Sequence, residues 1–181
     1  MDFLVAMNMD FAIQDEAKMG SLRAKFLTEF GVDVTRNPDY VVQLLESACV
    51  ARNSTDVELA LAIGLTFGVF EDPHIPGSSS VLVRLLESDW HESHEDIAET
   101  LESMRAPEAV EPLYRTALVR YPYLDYDEAY ALGVKCVWGL GEIGTPEAVD
   151  RLRLLAACDN EVIRENAAYQ LERLGVSHGQ G

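Results

Sequence analysis

The stretch His91-Glu92-Ser93-His94-Glu95 carries the residue types most suggestive of chemistry in this sequence. Imidazole nitrogens and carboxylate oxygens are the usual ligands of iron and zinc, and two His-Glu pairs here lie three residues apart. The spacing is not the His-Glu-x-x-His pattern that sets two histidines on one helix face around a metal. The remaining histidines, His74 and His178, are not followed by an acid, so a single turn would have to supply the whole ligand shell. The residues favour a solvated helix start, where Glu95 and Asp96 complement the positive end of the helix dipole. A metal-dependent enzyme using the His-Glu cluster is the alternative.

Two other arrangements invite a chemical reading. Gly139-Leu140-Gly141-Glu142-Ile143-Gly144 has the glycine density of a phosphate-cradling loop, but no strand precedes it, and helix-packing glycines are expected instead. No Gly-x-Ser-x-Gly elbow and no P-loop occurs in the sequence. Between Asp89 and Tyr130 there are 11 acidic residues and three arginines, with tyrosines interleaved in Tyr121-Pro122-Tyr123-Leu124-Asp125-Tyr126-Asp127-Glu128-Ala129-Tyr130. Tyrosines anchor interfaces at low entropic cost and acids select basic partners. The expected partner-binding residues are Tyr123, Asp125, Tyr126, Asp127 and Glu128, together with Glu92, Glu95 and Asp96. The competing reading packs Tyr121 and Tyr130 in the core and leaves the acids to cap a helix.

Composition agrees with binding more than catalysis. Of 181 residues, 31 are acidic and 14 basic, a net charge of −17. Such a surface repels phosphate backbones and anionic lipid and favours basic protein partners, so neither nucleic acid nor membrane is expected. Cys49, Cys136 and Cys158 are odd in number and widely spaced, which argues against a disulfide framework or a zinc site. The start of the chain has no basic segment ahead of its apolar residues, and no apolar run approaches a membrane span, so a cytoplasmic location is the default.

These residues must be positioned by helices, because helix punctuation is frequent and strand signals are scarce. Asn37-Pro38-Asp39, Thr55 with Glu58, Ser93 with Asp96, Ala106-Pro107-Glu108, Asp125, Thr145-Pro146-Glu147 and Asp159 or Asn160 all read as helix starts. The pattern repeats. Leu44-Leu45-Glu46-Ser47 returns as Leu85-Leu86-Glu87-Ser88, and Ala106-Pro107-Glu108-Ala109-Val110 returns as Thr145-Pro146-Glu147-Ala148-Val149. Val57, Leu61 and Gly64 align with Ile97, Leu101 and Met104, then Cys136, Leu140 and Ile143, then Ala167, Leu171 and Leu174. Helix pairs recurring at about 31 to 41 residues mean an α-solenoid.

From Val137 to Gly175 the chain resembles the HEAT-like repeats of phycobilisome lyases. The resemblance rests on the Gly-rich helix ending at Gly144, on Thr145-Pro146-Glu147-Ala148-Val149, and on the lead-in Val162-Ile163-Arg164 to Ala167-Ala168-Tyr169-Gln170-Leu171. It implies an all-α, HEAT-like α-solenoid of stacked antiparallel helix pairs. Residues 37–181 would form the repeat array and residues 1–36 an N-terminal helical cap or a dimer contact, within one compact domain. Deoxyhypusine hydroxylases of this class place their His-Glu pairs on different repeats, unlike the single turn here. DNA glycosylases of this class need a basic groove that this sequence lacks. No residue marks a tetrapyrrole site, and no cofactor is implied. The expected function is a non-catalytic protein-binding module, an inhibitor or immunity protein masking a basic partner such as a nuclease-like toxin. The runner-up is a scaffold or assembly factor.

Overall fold

The computed structural model describes residues 16–72, 75–124 and 129–176. Among these residues every regular element is helical. They are α1 (Glu16–Phe30), α2 (Asp39–Ala51), α3 (Ser54–Thr66), α4 (Ser78–Leu86), α5 (His94–Met104), α6 (Val110–Thr116), α7 (Ala131–Ile143), α8 (Pro146–Leu155) and α9 (Glu161–Arg173). Single 3-10 turns fall at Val69–Glu71, Pro107–Ala109 and Pro122–Leu124. None of these helices is long and apolar enough to cross a membrane.

The chain divides into two compact units, 1–78 and 79–181. In the first, α2 and α3 form a helical hairpin with Val41, Leu45, Ala48, Val57, Ala60 and Ile63 completely buried. The turn between them is tight because Arg52 takes a left-handed conformation at φ 50° and returns its N–H to the Ala48 carbonyl. Asn53 then accepts the N–H groups of Thr55 and Asp56. The Thr55-Glu58 capping box expected from sequence is therefore displaced: the helix begins at Ser54, and Asn53 already satisfies the free donors. At α2 the N-cap position is Pro38, and no side chain caps it, contrary to the expectation for Asn37. Phe26 of α1 is buried against the rings of Phe30, Tyr40 and Phe67.

In the second unit, α5, α7 and α9 lie side by side as one layer, and α6 and α8 form another across them. Antiparallel helix pairs thus stack as the sequence periodicity demands. The aligned positions Val57, Ile97, Cys136 and Ala167 are fully buried, as are Leu101 and Leu140, while Leu61 and Leu171 are nearly so. The third aligned position slackens: Met104, Ile143 and Leu174 are only half-buried. Close approach of α7 to its neighbours requires small residues. A Cβ on Gly139 would meet Leu113 Cδ1 at 3.1 Å and Glu102 Cβ at 3.7 Å. Helix ends are built as the sequence suggested at Thr145, which accepts the Ala148 N–H, and at Asn160, which accepts the Ile163 N–H.

Candidate protein-interaction face

The two histidines are turned into the protein. His91 is 3% exposed and His94 is completely buried. The His91 Nε2 lies 2.9 Å from the Leu85 carbonyl, and its Nδ1 accepts the Ser93 N–H at 3.2 Å. The His94 Nε2 lies 2.6 Å from the Ser88 carbonyl, and its Nδ1 lies 2.8 Å from the Tyr123 hydroxyl. Each ring thus donates from Nε2 to a carbonyl six residues back and accepts at Nδ1, the arrangement of a neutral imidazole. Tyr121 adds its hydroxyl to the Leu86 carbonyl. Together these side chains bond the Leu85, Leu86 and Ser88 carbonyls at and just beyond the C-terminal end of α4, the Leu85 carbonyl also accepting the Ser88 N–H at 2.9 Å. The rings stack, His91 on His94 at 4.4 Å and His94 on Tyr121 at 3.9 Å.

The expectation of a solvated helix start is corrected in part: Glu92 and Asp96 face water, but the imidazoles close a helix end. Ser93 occupies the N-cap position of α5, but its side chain makes no capping bond. All four ring nitrogens are engaged, which leaves no lone pair for a metal. Among the described residues, no group of three or more His, Cys, Asp or Glu side chains is placed to hold an ion. Burial is the main cause that holds the His91 pKa below its ordinary value and the His94 pKa down at about 4. Burial also pushes both Tyr121 and Tyr123 up to about 12, so neither phenol acts as a base near neutrality.

The expected binding residues fall into three groups. Glu92 and Asp96 are exposed, and Glu95 is half-buried with its carboxylate 3.6 Å from Lys135. Tyr123 is half-buried and committed to His94, so it belongs to the core network as much as to the surface. Asp125, Tyr126, Asp127 and Glu128 lie outside the described residues. Tyr130, read as a possible core residue, is half-buried, with its hydroxyl accepting from Arg120 at 2.9 Å.

The layer α5–α7–α9 carries a second set of residues of which sequence reasoning singled out only Glu95 as a binding residue. Along α5 run Glu95, Glu99 and Glu102, along α7 Lys135, Trp138 and Glu142, and along α9 Asn166, Tyr169 and Arg173, each set at helical three- and four-residue spacing. Lys135 pairs with Glu99 at 2.9 Å as well as with Glu95. Glu142 accepts Arg105 at 2.8 Å and Arg173 at 2.6 Å, and these guanidinium groups hold its carboxyl below the usual range. Trp138 donates to Asn166 Oδ1 at 3.2 Å and lies 5.9 Å from the Tyr169 ring. Between α5 and α7 is a groove of about 770 Å³, lined by Glu99, Glu102, Val134, Lys135 and Trp138 among others. The signal that would have found this face is the repeat period itself: side chains 36 to 40 positions apart, such as Glu99 with Lys135, become lateral neighbours.

With this geometry in view, comparison with known proteins gives one match. The family model described as PBS lyase HEAT-like repeat matches residues 134–158, from α7 through α8 to the turn after it. No curated protein and no solved structure matches the chain. The chain therefore carries a HEAT-like helical repeat, in a fold of the solenoid-forming kind whose general use is protein interaction.

Proposed function

We propose that this chain is a non-catalytic protein-binding module whose acidic surface masks a basic partner, as an inhibitor or immunity protein masks a nuclease-like toxin, and that it acts in the cytoplasm. The observation that carries this reading is the start of α5, where Glu92, Glu95, Asp96 and Glu99 stand together and Lys135 pairs with Glu95 and Glu99. Added to a net charge of −17, this face steers cationic proteins and repels nucleic acid and anionic membrane. The acids of residues 125–128 follow Tyr123, whose hydroxyl is tied to the same end of α5, and the proposal counts them as part of the surface. Within the proposal, residues 1–36 serve as the cap of the repeat array. The metal-enzyme alternative has no support in the imidazoles, whose nitrogens are already bonded.

The test is the triple substitution Glu92→Gln, Glu95→Gln, Asp96→Asn, measured by calorimetry across a salt series against the partner purified from native cells. Exposed charges are screened beyond about 8 Å at physiological ionic strength, so binding should weaken with salt. The substitution should cost roughly 1 to 3 kcal/mol of affinity with the fold unchanged. Binding indifferent to both would refute the acidic-face reading.

One observation favours a scaffold as the second reading. Leu118 and Val119, just after α6, and Leu154 on α8 are about half exposed. An apolar contact through the α6–α8 layer predicts binding that strengthens or stays level with salt, the opposite sign.

A further inference from the structure

We propose that the groove between α5 and α7 seats a single cationic side chain, arginine or lysine, presented by a protein partner, with the Trp138 indole as its platform and the Glu102 carboxylate as its counter-charge. The inference rests on the basic-partner reading above and names the residues that would take hold of that partner.

The argument begins with the charges that line the groove. Lys135 is matched by Glu99 and Glu95, and Arg105 is matched by Glu142, which Arg173 also holds. Glu102, half-buried in the same groove, makes no ion pair and no hydrogen bond among the described residues. Its surroundings work against its charge: burial raises its carboxyl pKa first, and the charges of Glu142 and Glu99 raise it further, with Arg173 and Lys135 opposing more weakly. A carboxylate removed from water without a partner is costly, and a cation docked beside it relieves that cost.

The platform is already built. The Trp138 indole is fixed by its N–H bond to Asn166, whose own amide donates to the Val162 carbonyl at 2.9 Å, and Tyr169 flanks it. An indole held in place presents its negative ring face without paying to order it on binding. The groove volume of about 770 Å³ is larger than one guanidinium or ammonium head needs, and leaves room for the stem to run along Val134.

Charge decides between occupants. Lys135 and Arg105 also line the groove, but Glu95, Glu99 and Glu142 already hold them, so an acidic group would meet Glu102 with the cations committed elsewhere, and an apolar side chain would deepen the burial of Glu102 without pairing it. A cation satisfies the carboxylate and the ring at once.

The experiment follows the indole N–H resonance of Trp138, identified by its loss in Trp138→Phe, while N-acetyl-arginine amide is added to the whole chain. A saturable shift with a Kd of about millimolar is expected for a single side chain. N-acetyl-citrulline amide, of the same shape without charge, should bind at least about tenfold more weakly. Glu102→Gln should weaken the arginine compound at least about fivefold with the melting temperature unchanged or raised. No saturable shift, or equal binding of the citrulline compound, overturns the seat, and the latter comparison needs no variant. Hexaarginine peptide separates the two levels. If its binding falls with the triple substitution at Glu92, Glu95 and Asp96 but ignores Glu102→Gln, the seat is wrong and the acidic face stands. If the wild-type protein ignores hexaarginine, both are wrong.

Discussion

Replacing His94 by glutamine should remove part of the acid sensitivity of folding, and the size follows from the site. His94 is completely buried, with Nε2 bonded to the Ser88 carbonyl and Nδ1 to the Tyr123 hydroxyl. Burial holds its pKa at about 4, the neighbouring His91 adds to the depression, and the Ser88 carbonyl and Asp89 oppose it. In the unfolded chain it returns to about 6.5. The native state therefore holds a neutral ring while the unfolded state binds a proton. Stability is complete above about pH 7 and is lost as pH falls from the unfolded value through the folded one. Between about pH 7 and about pH 5 the linkage amounts to about 2 kcal/mol, a large part of the stability of a typical domain. Carboxylates contribute little in this interval and contribute equally to both proteins, so the difference between them isolates the ring. Urea unfolding at the two pH values should show wild type losing about 2 kcal/mol more than His94→Gln. The variant itself should be weaker at neutral pH by about 1 to 3 kcal/mol, because its amide cannot reproduce both bonds and the stacking on His91 and Tyr121. If both proteins lose the same stability on acidification, the neutral buried imidazole is wrong.

Other perturbations test the packing and the caps. Gly133→Ala places a Cβ 3.0 Å from the Ala117 carbonyl and against Ile163 Cδ1, so it should destabilise by about 1 to 2 kcal/mol in urea unfolding despite the better helix propensity of alanine. Asn160→Ala removes the acceptor for the Ile163 N–H and should cost about 1 kcal/mol, read as a drop in melting temperature. Gln170 is completely buried with an amide Nε2 that has no partner, so Gln170→Met should be neutral or stabilising by up to about 1 kcal/mol, the exposed Arg173 turning to water instead. Tyr123→Phe should lower stability by about 1 kcal/mol through the lost bond to His94 and leave partner affinity within about twofold, which separates a core tyrosine from an interface anchor.

The helical stack was readable in the sequence because it depends on period and punctuation. Ile97, Cys136 and Ala167 are buried at the positions their 39- and 31-residue offsets require, and the Thr145 and Asn160 side chains accept the helix N–H groups their types imply. Other starts were misread where backbone geometry overrode side-chain type. Ser93 lies near the bridge region at φ −92° and ψ 22° instead of the extended region usual for an N-cap, and its hydroxyl makes no bond to the first turn, while Pro38 precedes α2 with no side-chain cap.

The candidate site was only half readable, for a different reason. A histidine beside a glutamate looks the same in sequence whether it binds a metal, faces water or closes a helix. The choice is made here by carbonyls six residues back and by Tyr121 and Tyr123, which arrive from 27 to 32 positions away along a segment with no helical period. The groove residues were hidden in the opposite way, by being ordinary. Glu102, Lys135 and Trp138 each fit the pattern of a helix surface, and only the lateral contact of α5 with α7 makes them neighbours. At Gly139 a Cβ would press on Leu113 Cδ1 of α6 at 3.1 Å and meet the Glu102 Cβ only at an ordinary 3.7 Å, so this glycine serves the packing of α6 on α7. The glycine that weakens the helix in isolation is explained by that packing, while the repeat period sets the Glu102 carboxylate and the Trp138 indole in one groove. The acid on α5 and the tryptophan on α7, neighbours only because the helices recur at the repeat spacing, link the fold to the proposed partner.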